Sequence, residues 1–316
     1  MTIPNVPDVP RIWCDAQLQI QAQRALDDFV DRRLAETSNA YVAHVGRHKR
    51  SIFALFGLLQ SIDPLNPDPE AVRKILLDEG MFDALRYMAG PPVSSDDLGV
   101  LVSRDVKGIN KTLIRKSDDL AKDVLRLICK LADPVRLPWI GKSRAPTRRE
   151  LRDAVAATAV LHATQSLQTE RRGFGKTVEH LLESRLIDLG FHRAAAPTKG
   201  RVTAPAHHPV YPGFYGECTV YGRKVDLLIP LKNGRIIALE AKDSSSALNS
   251  VKRLNNDTAA KAQHYAVEGG KNIVSVALLS GVFKFENLLR AQRSGLFLVW
   301  SHDMDGFIEW ISSQDL

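Results

Sequence analysis

The chain lacks any apolar run approaching the roughly 18 residues that a membrane-spanning helix requires. Its first residues, MTIPNVPDVPRIW, also lack the basic-then-apolar order of a secretion signal. A cytoplasmic protein with no membrane partner is therefore expected. Cysteine is scarce: Cys14, Cys129 and Cys218 are far apart and odd in number, which gives neither a disulfide framework nor a zinc spacing and reads as small buried side chains. No internal repeat, heptad or low-complexity tract is present, which excludes a solenoid or a disordered scaffold. Gly173-Phe174-Gly175-Lys176-Thr177 ends like a phosphate-binding loop, but Glu170 stands where that loop needs glycine and no apolar strand precedes it. His207-His208 has no third or fourth ligand at zinc spacing. His302, Asp303 and Asp305 read as turn and helix-cap residues.

What the chain does contain is an ordinary globular composition with a basic balance. Its 316 residues are 44% hydrophobic and carry a net charge of +7, with a pI of about 9.3. That length and apolar content support a large core and two domains. The charge suits a polyanionic partner, nucleic acid or a membrane surface alike. Helical periodicity dominates to about residue 195, over Asp15 to Ala35, Ala40 to Leu59, Pro69 to Asp78, Asn110 to Leu131 and Thr147 to Gln168. Thr147 and Glu150 have the order of a capping box. Arg148, Arg149 and Arg152 make that first turn basic, a feature that suits phosphate contact or simple solvation. After AAAPTKGRVTAPAHHP the pattern changes to strands, with a meander expected over residues 216–221, 224–229 and 235–241. A helix over 247–268, strands over 272–279 and 296–300, and an intervening helix over 285–293 follow. Strands alternating with helices imply a mixed sheet covered on its faces.

The stretch RKVDLLIPLKNGRIIALEAKDSSS, residues 223–246, carries the chemistry. Its apolar runs, parted by Asn233-Gly234, read as the two strands of a tight hairpin. Side chains alternate across a strand, so Glu240 and Lys242 share a face while Ala241 points the other way. Asp226 then joins them at one strand end. Two carboxylates are the hard oxygen donors that Mg²⁺ prefers, and a neighbouring lysine can orient water or stabilise charge building on phosphate. A solvated hairpin edge has the same outline; near-continuous apolar runs favour burial, where unpartnered carboxylates are costly.

These residues resemble the PD-(D/E)XK nuclease superfamily, with Asp226 as its first acid and Glu240-Ala241-Lys242 as its (D/E)XK element, thirteen residues lying between the two acids. Val225 stands where the motif's name has proline. Glu179, on a helix beginning near Gly175, is similar to the additional acid that many of these families carry. From about Gly173 onward the chain is similar to XamI-type restriction endonucleases. That resemblance implies an α/β fold, α+β overall, in which a mixed-sheet restriction-endonuclease-like core at 171–316 follows an all-helical domain at 1–170 serving DNA recognition and dimerisation.

The implied function is a Mg²⁺-dependent type II restriction endonuclease acting on double-stranded DNA. Asp226, Glu240 and the carbonyl of Ala241 are the implied metal ligands, and Asp226, Glu240, Lys242 and Glu179 the catalytic set. By position, Ser244, Ser246, Asn249, Lys252, Arg253, Asn255, Asn256 and Lys261 are nominated to face DNA, a set whose chemistry suits bases and phosphates. A homodimer and a cognate DNA methyltransferase encoded beside it are implied partners. The alternatives are a repair or junction-resolving nuclease and a non-catalytic DNA-binding module on the same fold.

Overall fold

The computed structural model describes residues 9–102, 109–142, 144–246, 254 and 258–314. The chain divides into two compact units, one of Ala35–Arg171 and one of Met1–Leu34 with Arg172–Leu316. Among the described residues, eight long or capped helices precede the sheet: α1 (Asp15–Ala35), α2 (Val42–Leu59), α3 (Pro69–Leu77), α4 (Glu79–Arg86), α5 (Ser95–Val102), α6 (Lys111–Lys116), α7 (Asp118–Leu131) and α8 (Arg148–Asp188).

In the helical unit, short polar side chains set where helices begin. Asp68 accepts from the Glu70 and Ala71 N–H groups ahead of Pro69, and Asp78 accepts from Met81. Asn110 and Ser117 do the same for Leu113 and Leu120. Ser117 is therefore why the segment 110–131, read in sequence as one helix, is two: its extended backbone and side-chain cap restart the helix at Asp118. The core between these helices is aliphatic, with Ile52, Leu55, Ile75, Leu85, Met88, Val124 and Ile128 buried. The capping box at the start of α8 is present, with Thr147 N–H donating to Glu150 Oε2 at 2.8 Å and Glu150 N–H to Thr147 Oγ1 at 3.2 Å. Helix α8 continues unbroken through Gly173 and Gly175 to Asp188.

The second unit is built on a six-stranded sheet in the order β1 (His192–Ala194), β3 (Gly213–Tyr215), β6 (Leu227–Pro230), β7 (Ile236–Ser244), β8 (Ile273–Gly281), β9 (Phe297–Trp300). β6 and β7 are antiparallel, and β7, β8 and β9 run parallel. The mixed sheet expected from the sequence is thus present. Both faces are covered. Leu227, Ile229, Ile237, Leu239, Val276 and Leu278 pack with α8 and with the helix Met304–Ser313. Ala277, Leu279, Leu298 and Trp300 pack with Leu288 and Ala291 and with Trp13 and Leu18. This last contact explains why the first 34 residues, expected to belong to a helical domain 1–170, join the second unit. Trp13 also ties itself to the edge strand, its indole N–H donating to the Leu298 carbonyl at 2.8 Å.

The meander expected over 216–241 requires correction. β4 (Cys218–Val220) and β5 (Arg223–Val225) pair with β2 (Arg201–Val202) in a separate three-stranded sheet. The segment 224–229 is split at Asp226, which lies between β5 and β6. There the Asp226 carboxylate, and not a backbone carbonyl, takes the Ala241 N–H, so the main-chain ladder between β6 and β7 stops at Leu227↔Leu239. The Asn233-Gly234 turn forms as its composition implies, with Gly234 at φ +84°, a backbone region that glycine enters without steric cost.

Candidate active site

The hairpin β6–β7 places the candidate residues by alternation. Leu228 and Ala238 belong to the apolar cluster containing Tyr265, whereas Leu227, Ile229, Ile237 and Leu239 face the opposite cluster. Continuing that alternation puts Asp226, Glu240 and Lys242 on the Leu228–Ala238 face. Asp226 sits one step beyond the last ladder pair, across from Glu240. Its N–H donates to the Leu239 carbonyl at 2.9 Å and its Oδ2 accepts from Ala241 N–H at 2.8 Å. Beyond the site, β7 and β8 close tightly: a Cβ on Gly281 would lie 2.2 Å from the Ser244 carbonyl oxygen, so only glycine fits there.

Glu240 is 5% exposed and each of its oxygens is held by a different ammonium. Lys242 Nζ donates to Oε2 at 2.6 Å and Lys261 Nζ donates to Oε1 at 2.6 Å. Burying this carboxylate is tolerable because the ammoniums compensate it. Glu179 is 3% exposed, and both its oxygens accept from Lys176 Nζ, at 2.9 and 2.8 Å. Burial raises its pKa above the ordinary carboxylate value, and the negative charges of Asp226 and Glu183 push the same way against the opposing Lys176 bond. Lys176 is itself raised: burial pulls it down, but Glu179, Asp226 and Glu217 outweigh that. Three carboxylates and three lysines therefore gather at this edge of the sheet, and the shifts of Glu179 and Lys176 within it are of the kind found at functional sites.

Lys176 was not singled out in the sequence, although its position three residues before Glu179 on one helix face is a readable signal. Lys261, expected by position to face DNA, is bonded to Glu240. Ser244 ends β7 fully buried and donates its hydroxyl to the Ser246 carbonyl at 2.8 Å. Asn249, Lys252, Arg253, Asn255 and Asn256 lie outside the described residues. Beside Lys242, the Asp243 carboxylate accepts from Ser280 Oγ at 2.8 Å and lies 3.5 Å from the Arg32 guanidinium, which stacks over Phe174 at 3.3 Å.

Among the described residues, no group of three or more His, Cys, Asp or Glu side chains converges to hold a metal ion. The donor set at the hairpin is smaller but suited to a hard cation: the carboxylates of Asp226 and Glu240, with the Ala241 carbonyl between Glu240 and Lys242 in the chain. That Glu240 draws two ammoniums to 2.6 Å shows that positive charge is stabilised at this point. No helix among the described residues is long and apolar enough to cross a membrane.

The profile of a family described as XamI restriction endonuclease matches residues 66–300. The Type II restriction enzyme XamI of Xanthomonas campestris pv. amaranthicola is 35% identical over 266 residues, spanning 83% of this chain and 93% of the relative. The span matched by the profile contains Glu179, Asp226, Glu240, Lys242 and Lys261.

Proposed function

This chain belongs to the XamI restriction endonuclease family, and from that premise we propose that it hydrolyses double-stranded DNA at the β6–β7 hairpin with a divalent cation, Mg²⁺, as cofactor. It is a type II restriction endonuclease, cutting phosphodiester bonds at a specific short sequence. The observation that supports this location of the chemistry is the meeting of Asp226, Glu240 and Lys242 on one face, with Ala241 N–H bonded to Asp226.

Asp226, Glu240 and the Ala241 carbonyl are the residues that hold Mg²⁺ in this reading. When bound, the cation supplies Lewis-acid stabilisation of charge on the phosphate oxygens. Lys242 orients the attacking water through one N–H and stabilises negative charge through another, since an ammonium has three donors. As the water adds to phosphorus it gives up one proton to solvent, the P–O bond to the leaving sugar oxygen breaks, and that oxygen takes up one proton from solvent, so one hydroxyl forms on each fragment. Glu179, raised above the ordinary carboxylate value by burial, supports a water at the site.

DNA contacts come from the segment after Lys242, including Ser246, Asn249, Lys252, Arg253, Asn255 and Asn256, and from the basic first turn of α8. A homodimer meets a palindromic site with matching two-fold symmetry. The protein acts in the cytoplasm, where a methyltransferase encoded beside it protects the host's own sites. The test is digestion of unmethylated phage DNA with and without Mg²⁺, alongside Asp226→Ala and Glu240→Ala. Discrete metal-dependent bands lost in both variants support the reading; intact DNA, or a smear, moves it to binding alone or to recognition of DNA shape.

A further inference from the structure

The helix Ala259–Glu268 brings a second lysine into the site. Lys261 Nζ donates both to Glu240 Oε1 at 2.6 Å and to the backbone carbonyl of Lys224 at 2.9 Å. Glu240 is on β7 and Lys224 on β5, two residues before Asp226. One ammonium thus spans β7, which carries Glu240, and β5, which ends one residue before Asp226, and its side chain is only 13% exposed. The carbonyl bond serves as an anchor: it holds the ammonium against Glu240 and away from solvent. Tyr265, one turn further along the same helix, donates to the Arg223 carbonyl at 3.4 Å and is buried among Leu228 and Ala238, so the helix that delivers Lys261 is seated directly on this face of the hairpin.

We infer that Lys261 is a positioning residue for Glu240, setting the separation of the Asp226 and Glu240 carboxylates while its charge opposes cation binding at Glu240. The inference rests on the proposed role of Glu240 in metal-dependent cleavage. Two opposite effects follow from removing the ammonium. The site loses a positive charge that competes with the cation, so the cation binds more tightly. It also loses the clamp that orients Glu240, and misplacing such a supporting contact slows chemistry. A residue that merely stabilised the fold would weaken both together. A residue that gripped DNA would weaken DNA binding.

The experiment compares the full-length protein with Lys261→Met and Lys261→Arg, using Glu240→Ala as control. Mn²⁺ affinity is read by calorimetry without DNA, DNA affinity by filter binding in Ca²⁺, and cleavage by single-turnover kinetics at saturating Mg²⁺. For Lys261→Met the expected result is a Mn²⁺ dissociation constant lower by about tenfold, the size of one screened charge repulsion. Cleavage is expected to slow by roughly 10- to 100-fold, with DNA affinity unchanged and cleavage partly restored in Lys261→Arg. Weaker Mn²⁺ binding, a fall in DNA affinity in step with cleavage, or wild-type behaviour each overturns the inference. Full cleavage by Glu240→Ala overturns the proposed site instead, and is read independently of Lys261.

Discussion

Asp226 Oδ2 accepts a hydrogen bond from the backbone N–H of Ala241 at 2.8 Å. Asp226 is thereby fastened to the residue between Glu240 and Lys242. The relative placement of Asp226 and the Glu240–Lys242 face is built into the β6–β7 hairpin and does not depend on a bound ligand.

Replacing Asp226 separates this structural role from the chemical one. Asp226→Asn retains a carbonyl oxygen able to accept from Ala241 but loses the charge, so cleavage is lost while urea unfolding changes little. Asp226→Ala also leaves the Ala241 N–H without its acceptor and lowers stability by about 1–2 kcal/mol. Cleavage surviving in Asp226→Asn would contradict the metal-holding role.

Lys242→Ala is expected to abolish cutting while largely preserving sequence-specific binding, because its proposed contacts matter in the transition state. Gel-shift titration in Ca²⁺ beside cleavage in Mg²⁺ checks this. Loss of both in equal measure would argue for a binding role.

Glu179 gives a pH-dependent prediction. Burial raises its pKa in the folded protein, so an ordinary unfolded carboxylate ionises first. The folded state loses stability as pH rises through the folded value. Glu179→Gln removes that ionisation. Its thermal midpoint should exceed that of the wild type at pH 8, with the gap closing below the ordinary carboxylate range, while cleavage falls. A variant less stable at pH 8 would show that the Lys176 bond outweighs burial.

The helical unit contains a buried histidine stack, with His162 lying 3.5 Å from His48 and 3.8 Å from Tyr87 between ring centres. Burial first, then the charges of His48, Arg86 and His44, lower the His162 pKa from 6.5 to about 3. A depressed value stabilises above the unfolded pKa, so this contribution is complete above pH 6.5 and lost as pH falls toward about 3. Melting curves across that window should show a shallower decline for His162→Phe, which keeps the stacked ring and removes the titration. An unchanged slope would assign the acid sensitivity elsewhere.

Arg148 and Arg152 line a hollow with Lys49 and Phe53 in the helical unit, and Arg152 is 75% exposed. If this turn grips phosphate, alanine at either position weakens binding of all DNA sequences alike and lowers the slope of log affinity against log salt by about 1. A change confined to the cognate sequence would instead indicate base readout.

The hairpin is readable in the sequence because its signals are local. Apolar runs, an Asn-Gly turn and a two-residue alternation put Glu240 and Lys242 on one face and brought Asp226 opposite them. The capping box at Thr147 and Glu150 was readable for the same reason, as it spans a single turn. The exception within the hairpin was the strand expected through 224–229: Asp226 ends it by bonding to Ala241 with its side chain, an event that periodicity does not encode.

Other outcomes depended on elements far apart in the chain. Leu18 looks like part of one more amphipathic helix, with Trp13 just ahead of it, until β9 supplies the surface that buries both. Lys261 looks like a surface lysine, and its helix must dock on the hairpin before it reaches Glu240. Ser244 follows Lys242 like a solvent-facing polar residue, yet the close approach of Gly281 on β8 encloses it. The sequence by itself determined that Glu240 and Lys242 share one face of a strand with Asp226 across from them, because covalent spacing and backbone alternation suffice for that. Which ammonium pairs with which carboxylate was decided only by the tertiary structure, because charge pairing follows distances that arise when helices pack on a finished sheet.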